Sequence, residues 1–440
     1  MSAQYQCLIA GAAGRDFHNF QTFFRQHPEF HVCGFTATQI PFIESRSYPQ
    51  SLAGPDYDAD IPIFPEAQLP ELIKRFHIDF VFLAYSDLAY DTVMHTASLV
   101  QASGASFVLL GPEQTQLTSQ RPVIAVTAVR TGAGKSPLTR WIASHLAAAG
   151  HTPGTIRHPM PYGNLEQQRC QHFATEADLE RYECTIEERE EYQPYLERGL
   201  SIYAGVDYEL ILRTAEKDSD VILWDGGNND FSFIKPDLLI TVADALRPGH
   251  EVRYYPGETN LRMADVVVIN KVSAATDADR ALIREHVSQL NPDATVIEAD
   301  LELVVDDPDQ ITGRRVLVIE DGPTLLHGGM ATGAGYAAAR KFGATDFLDP
   351  RNFAKGTIAA AYQKYPHMGP ILPALGYSEQ QRQELSETIN GSGAELIIDA
   401  TPAGLTHVVQ TSLPIVRVRY EFQQRTGTPL EQIIQNVLKQ

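Results

Sequence analysis

The stretch Val123-Ile124-Ala125-Val126-Thr127-Ala128-Val129-Arg130-Thr131-Gly132-Ala133-Gly134-Lys135-Ser136-Pro137 decides the fold of this chain. Its first half, VIAVTA at 123–128, is apolar or β-branched without polar alternation, the pattern of a strand covered on both faces. A glycine loop follows, and then a helix predicted over Leu138–Ala149 and ended by Gly150. Strand, glycine loop and helix together form a phosphate cradle. Glycines let backbone N–H groups converge, the helix N-terminus adds positive potential, Lys135 reaches the β- and γ-phosphates, and the Ser136 hydroxyl binds Mg²⁺. Position 129 holds Val where the standard loop has Gly, so the sequence fits the deviant Walker A form K/R-x-G-x-G-K-[ST], with Arg130 at the signature-lysine position. Gly132, Ala133, Gly134, Lys135, Ser136 and Pro137 are the expected nucleotide contacts.

Partners of this loop are expected downstream. Val221–Trp224 (VILW) reads as an apolar strand ending in Asp225-Gly226-Gly227-Asn228-Asn229-Asp230. An acid at the end of such a strand fits a Walker B carboxylate holding Mg²⁺ directly or through water. A turn-forming Asp-Gly pair is the alternative for Asp225. Gly227 is a backbone donor candidate for the γ-phosphate, and Asp230 is either a second carboxylate of the site or a loop residue. Val266–Ile269 ends in Asn270-Lys271, placed like the base-reading pair of P-loop GTPases. Ser273 stands where those proteins carry aspartate, which removes the partner of guanine N1 and N2 and tilts the reading toward ATP.

Two basic clusters follow predicted strand ends, where open α/β sheets bind ligands. One is Arg157-His158-Pro159-Met160-Pro161-Tyr162-Gly163. The other is Arg247-Pro248-Gly249-His250-Glu251-Val252-Arg253-Tyr254-Tyr255. If the chemistry is phosphoryl transfer, an anionic second substrate needs cations of its own, and Arg157, His158, Arg247, His250 and Arg253 are the candidates. A surface ion pair is the competing reading of each taken singly.

The rest of the chain alternates strand-like runs with helical stretches, so the expected class is α/β throughout. A Rossmann-like N-terminal domain is expected over 1–118, with strands Gln6–Ala10, His31–Thr36, Asp79–Ala84 and Ser106–Leu110. Its turn Gly11-Ala12-Ala13-Gly14-Arg15-Asp16-Phe17 resembles a dinucleotide fingerprint only weakly. Phe17 replaces the third small residue, and no acid ends the second strand to take a ribose, which argues against NAD. The scaffold with Arg15 and His18 near an anion is the better reading. A P-loop NTPase core is expected over 119–310 and an α/β region over 311–440. The segment Glu176–Arg198 is expected to form charged helices, either covering the sheet or acting as a lid.

Composition excludes several classes. The chain has 440 residues, 43% hydrophobic and 20% charged, the balance of a globular protein. Four scattered cysteines exclude a disulfide framework or a CxxC zinc site. No apolar run suits a membrane span, and the start MSAQYQCLIAGAAGRDF lacks a basic region and a cleavable apolar stretch, so a cytoplasmic location is expected. The net charge of −20 disfavours nucleic acid and membrane surfaces. It does not disfavour a small anionic substrate in a local positive pocket.

Beyond the loop, the segments AGAAGRDFHNF, FTATQIPFIESRSYP, AVRTGAGKSP, LWDGGNNDFSF, DALRPGHEVRYYPGETNLRMADVVVINK and EDGPTLLHGGMATGAGYAAARKFGA resemble the cyclic 2,3-diphosphoglycerate synthetases and their bacterial relatives, nearly end to end. The Lys-Ser-Pro after the glycines is also similar to the Gly-Lys-Thr-Pro loop of lipid A disaccharide kinases. The resemblance implies an ATP- and Mg²⁺-dependent cytoplasmic ligase, a homodimer aided by K⁺, that closes 2,3-diphosphoglycerate into a ring with an internal phosphoanhydride. It implies Lys135, Arg130 and Asp225 as catalytic residues, with Arg130 a cation on the transferring phosphoryl group. Ser136 and Asp225 would hold Mg²⁺, and Arg157, His158, Arg247, His250 and Arg253 the substrate phosphates. A bacterial member with a different acidic acceptor, or a nucleotide switch acting on a protein or metal partner, are the alternatives.

Overall fold

The structure, a computed structural model, describes residues 4–11, 14–37, 46–158, 164–227, 230–322, 325, 331–375, 379–402, 404, 405 and 409–439. By its internal contacts the chain divides into two compact units. The first holds Met1–His172, Ser201–Asp300 and Gln424–Gln440; the second holds Phe173–Leu200 and Leu301–Gln423. The sequence-based boundary at 118/119 therefore falls inside the first unit, and that at 310/311 inside the second.

The first unit contains two parallel-stranded layers. In the N-terminal one, Tyr5–Ala10 lies between Phe30–Ala37 and Phe80–Leu83. Ile61–Pro65 extends one side and Ser106–Val108 the other, and among the described strands of this layer the short Ser47–Tyr48 runs antiparallel. The alternation of a strand explains its two cores. Cys7 and Ile9 pack on one face with Phe17, Phe20 and Phe35, while Leu8 and Ala10 pack on the other with Leu72, Val81 and Val100. The missing acid at the second strand is explained too: Thr36 is wholly buried against this sheet.

The second layer carries the phosphate loop. Val123–Ala128 lies centrally, flanked by Val221–Gly226 and Leu238–Asp244. Pro153–Arg157 and Ile202–Ala204 continue the first side, Val266–Asn270 and the part of Thr295–Val305 up to Asp300 the second, and each of these pairings is parallel. Every residue from Val123 to Ala128 is buried, which is why this run reads as continuous rather than alternating. Parallel order brings the strand ends at Ala128, Arg157, Asp225, Asp244 and Asn270 to one edge of the sheet, so residues far apart in sequence meet around the loop.

In the second unit, Arg315–Asp321 pairs in parallel with Leu396–Ala400, Leu372–Ala374 and Asp346–Phe347, and Leu396–Ala400 pairs with Ile415–Thr426. The charged segment forms the helices Glu176–Arg181 and Ile186–Leu196, each opened by a threonine capping box. Glu197 beyond them takes Arg417 at 2.9 Å. The segment EDGPTLLHGGMATGAGYAAARKFGA lies partly outside the described residues; within it Ala334–Lys341 is helical. Among the described residues no helix is long and apolar enough to cross a membrane.

Candidate active site

The helix after the glycine loop begins at Lys135 and runs to Ala148, three residues earlier than the pattern suggested. Gly134 precedes it at φ +108° and Gly132 lies at φ +78°, a left-handed backbone that costs a side chain strain and glycine little. No side chain caps this helix, so its first-turn N–H groups face the loop without a protein cap, the arrangement that binds phosphate. Pro137 occupies the first turn, where its missing N–H costs no helical bond.

Asp225 is the hub. Its carboxylate is wholly buried. Oδ1 accepts from Lys135 Nζ at 2.8 Å and from Thr139 Oγ1 at 3.0 Å, while Oδ2 accepts from Arg157 Nη1 at 2.5 Å. Lys135 Nζ also donates to the Asp225 carbonyl. Two cations and a hydroxyl balance a charge that burial would otherwise make very costly. Arg157 Nη1 lies 3.4 Å from Ser136 Oγ as well. Ser136 Oγ and Asp225 Oδ2 thus face a single cation, and that hydroxyl–carboxylate pair fits the oxygen donor set Mg²⁺ takes. Thr139 escaped the sequence reading, although its position one helical turn after Lys135 puts both on one face.

The Asn270–Lys271 pair supports the loop backbone. Asn270 Nδ2 donates to Ala133 O at 2.8 Å, and Lys271 Nζ donates to Gly132 O at 2.7 Å and to Asp244 Oδ2 at 2.8 Å. Asp244 Oδ2 also accepts from Arg247 Nε at 2.8 Å, and Arg247 Nη2 reaches Thr131 O at 2.7 Å. One buried carboxylate thereby fixes two cations against two successive loop residues, Thr131 and Gly132, while Asn270 holds the third, Ala133. At Ser273, Asp300 accepts from the backbone N–H at 2.8 Å and from the hydroxyl, and a third bond comes from Arg425 Nε at 2.7 Å. Those bonds hold its carboxyl below the ordinary range against burial.

Arg130 donates through Nε to Asp87 Oδ1 at 2.6 Å, and its Nη1 lies 2.9 Å from His250 Nδ1. Its Cζ lies 3.7 Å from the Tyr254 ring centroid. Partial burial, then the Arg130 and Arg247 charges, push the His250 pKa down, so neutral imidazole is favoured beside these cations. Arg253 is exposed, and its carbonyl accepts from Tyr90 N at 3.0 Å. The structure therefore gathers Lys135, Ser136, Asp225 and Arg157 at one point, and Arg130, Arg247 and His250 around the loop, and leaves the Arg253 side chain apart.

His158 differs from its expected role as a cation. Its ring lies among Tyr208, Trp224 and Phe233, and a Cβ on Gly14 would fall 2.2 Å from its Cε1 and one on Gly227 2.7 Å from its Cβ. Burial, then the Arg157 charge, pushes its pKa down to about 3, so it is neutral at physiological pH. Positions 159–163, 228 and 229 lie outside the described residues. Arg15 and His18, the residues expected near an anion, fall in different settings. Arg15 is buried, with Nη2 donating to Tyr85 O at 3.0 Å, and Asp230 lies 3.3 Å from its Nη1. His18 stacks on Phe233 at 4.1 Å with Nε2 2.8 Å from Thr115 O, and burial pushes its pKa down to about 3.

Comparisons with known proteins add an independent line. The chain is 55% identical over 432 residues to arginine synthetase ArcE of Thermococcus kodakarensis, covering 98% of this chain and 96% of that one. No family model matches. Among solved structures, LpxK from Aquifex aeolicus in complex with ATP is 12% identical, covering 73% of this chain and 90% of that one at a TM-score of 0.44. The hydrogenase maturation factor HypB from Archaeoglobus fulgidus is 16% identical, covering 41% and 81% at a TM-score of 0.26.

Proposed function

This chain belongs to the family of arginine synthetase ArcE, and on that premise we propose that it is an ATP-dependent ligase that forms arginine. The observation that carries the reading is the convergence of Lys135, Ser136 and Arg157 on the buried Asp225 beside an uncapped helix N-terminus. That constellation suits transfer of a γ-phosphoryl group, in which positioning and charge neutralisation do most of the work.

Arginine differs from its ureido counterpart, citrulline, by one nitrogen in place of oxygen. Phosphorylation turns that oxygen into a leaving group: the bond from the γ-phosphorus to the ADP oxygen breaks as a bond to the ureido oxygen forms. Ammonia then attacks the central carbon with its lone pair, the carbon–oxygen bond breaks, and inorganic phosphate departs as the new nitrogen loses its surplus proton. Lys135 would hold the β- and γ-phosphates, Arg130 and Arg157 the charge on the transferring group, and Asn270 and Lys271 the shape of the loop. Ser136 and Asp225 would hold Mg²⁺, which screens phosphate charge when bound.

Closure of 2,3-diphosphoglycerate into its cyclic phosphoanhydride is the second reading. It is supported by the motif resemblance and begins with the same phosphoryl transfer, but ends in attack by a neighbouring phosphate. Measuring ADP release from ATP and Mg²⁺ separates the two. Citrulline with ammonium should stimulate release and yield arginine by mass spectrometry. Stimulation by 2,3-diphosphoglycerate alone, with a cyclic product in phosphorus NMR, would replace the first reading with the second.

A further inference from the structure

We propose that Arg15 and Asp230, with His158 beside them, form the site that holds the α-carboxylate and α-ammonium of an amino-acid acceptor. The assignment rests on the ligase reading and deepens it by placing the second substrate.

The cluster is polar, buried and incompletely satisfied. The Arg15 and Asp230 side chains are only 4% and 5% exposed. Arg15 Nη2 is spent on the carbonyls of Leu83 and Tyr85, and the rings of Phe231 and Tyr255 lie 5.2 Å from Cζ. Its Nη1 stands 3.3 Å from Asp230 Oδ1, and Asp230 Oδ2 stands 3.6 Å from His158 Nε2, yet neither contact is a hydrogen bond. By hydrogen-bond geometry Asp230 Oδ1, His158 Nε2 and Arg15 Nε and Nη1 lack a partner, although Tyr255 lies against the Arg15 guanidinium and favours its charge. Buried polar groups almost always find partners, and an ion pair left without a hydrogen bond at this burial has room in its chemistry for a ligand.

The signs of the groups select the ligand class. Arg15 is a fixed cation. Asp230 and Asp16 are carboxyls, and His18 and His158 are neutral because burial depresses both. This balance does not suit a polyphosphate, whose charges would meet the Asp230 and Asp16 carboxyls beside Arg15. A zwitterion matches it: its carboxylate accepts from Arg15 and its ammonium donates to Asp230 with no net charge brought in. The cluster also adjoins the chemistry. His158 feels the charges of both Arg15 and Lys135, and its neighbour Arg157 bonds Asp225. An amino acid anchored at Arg15 and Asp230 would extend its side chain toward the phosphate loop.

The test uses the full-length protein with ATP, ammonium and either citrulline or its analogue lacking the α-amino group. Arg15→Gln and Asp230→Asn should each raise the KM for citrulline about tenfold or more while the KM for ATP stays within about twofold, because a buried polar group left unpaired discriminates strongly. Asp230→Asn should also erase the preference for citrulline over the deaminated analogue. Hydrogen exchange on the unaltered protein gives a readout that needs no variant: saturating L-arginine should slow exchange over residues 14–22 and 230–235. Unchanged citrulline KM and preference in variants that still turn over ATP would overturn the site and leave the ligase reading standing. Absent protection by L-arginine would overturn it even if both variants failed to fold. Failure of the unaltered protein to make arginine would remove both.

Discussion

Lys135 and Asp225 are joined twice, the ammonium donating to the carboxylate at 2.8 Å and to the carbonyl of the same residue. The cation of the phosphate loop and the acid of the neighbouring strand thus hold one another in a single geometry. Lys135→Ala should lower ADP release by about a hundredfold or more, since one aimed charge at a transferring phosphoryl group is worth that much. Asp225 keeps Arg157 and Thr139 in that variant, so its thermal midpoint should change little. A coupled ADP assay beside a melting curve checks both, and retained turnover would remove Lys135 from the chemistry.

Asn270 is expected to act through the loop rather than on the substrate. Asn270→Ala leaves the Ala133 carbonyl without its buried donor, a loss of about 1–3 kcal/mol. The KM for ATP should rise, and the midpoint should fall by several degrees, with both effects read in one preparation. A lowered midpoint with an unaltered KM would mean that the loop does not depend on this bond.

Arg130 is tied in the structure to Asp87, His250 and Tyr254. If it serves the transferring phosphoryl group, Arg130→Ala should lower kcat by about 10²–10³. Asp87→Asn, which only weakens the tether, should leave kcat within about tenfold of the original. Equal losses in the two variants would make the ion pair, rather than the cation, the functional element.

Acid should destabilise the first unit through two histidines. His18 and His158 are held near pKa 3 by burial, against 6.5 when exposed. The unfolded chain takes up protons that the folded one refuses between those values, so stability falls as pH drops from about 6.5 toward 3, by at most about 1.4 kcal/mol per pH unit for each ring. Asp230 works oppositely: burial raises its pKa to about 7, so stability is present at low pH and lost as pH rises from about 4 to 7. Melting curves of His18→Asn from about pH 7 to 5 should show a shallower decline than the original protein, whatever the variant's absolute midpoint. An unchanged slope would show that His18 titrates normally.

Gly14 has an extended backbone, so its role is space rather than conformation. Gly14→Ala places a methyl 2.2 Å from His158 Cε1, with His158 confined by Phe233, Tyr208 and Trp224. Overpacking there should cost about 1–3 kcal/mol and lower the midpoint accordingly. Gly199→Ala meets nothing within 4 Å but has φ +68°, so it tests backbone strain alone. A larger loss at Gly199 than at Gly14 would contradict the steric account.

The strand, glycine loop and helix around Lys135 and the strands ending at Asp225 and Asn270 were legible as local structure because each is a contiguous motif on an apolar strand, with local geometry set by glycine and strand burial. The continuous hydrophobicity of 123–128 and 221–224 also announced a parallel sheet covered on both sides. Short strands such as Ile202–Ala204 gave no such signal, since three residues carry no periodicity and pairing with Pro153–Arg157 defines them.

Sequence by itself therefore determined the α/β class and the strand, glycine loop and helix around Lys135, because these depend on neighbours a few positions apart. Tertiary structure alone decided what those residues meet. It turned Asn270 and Lys271 onto the loop backbone, put Arg157 on Asp225, and made His158 a neutral ring instead of a cation. It also brought Arg15 to Asp230, residues that follow strands in different layers of the first unit. Contact, burial and protonation arise from groups distant in the chain, and their energies exist only once the parallel strands have brought their ends to one edge.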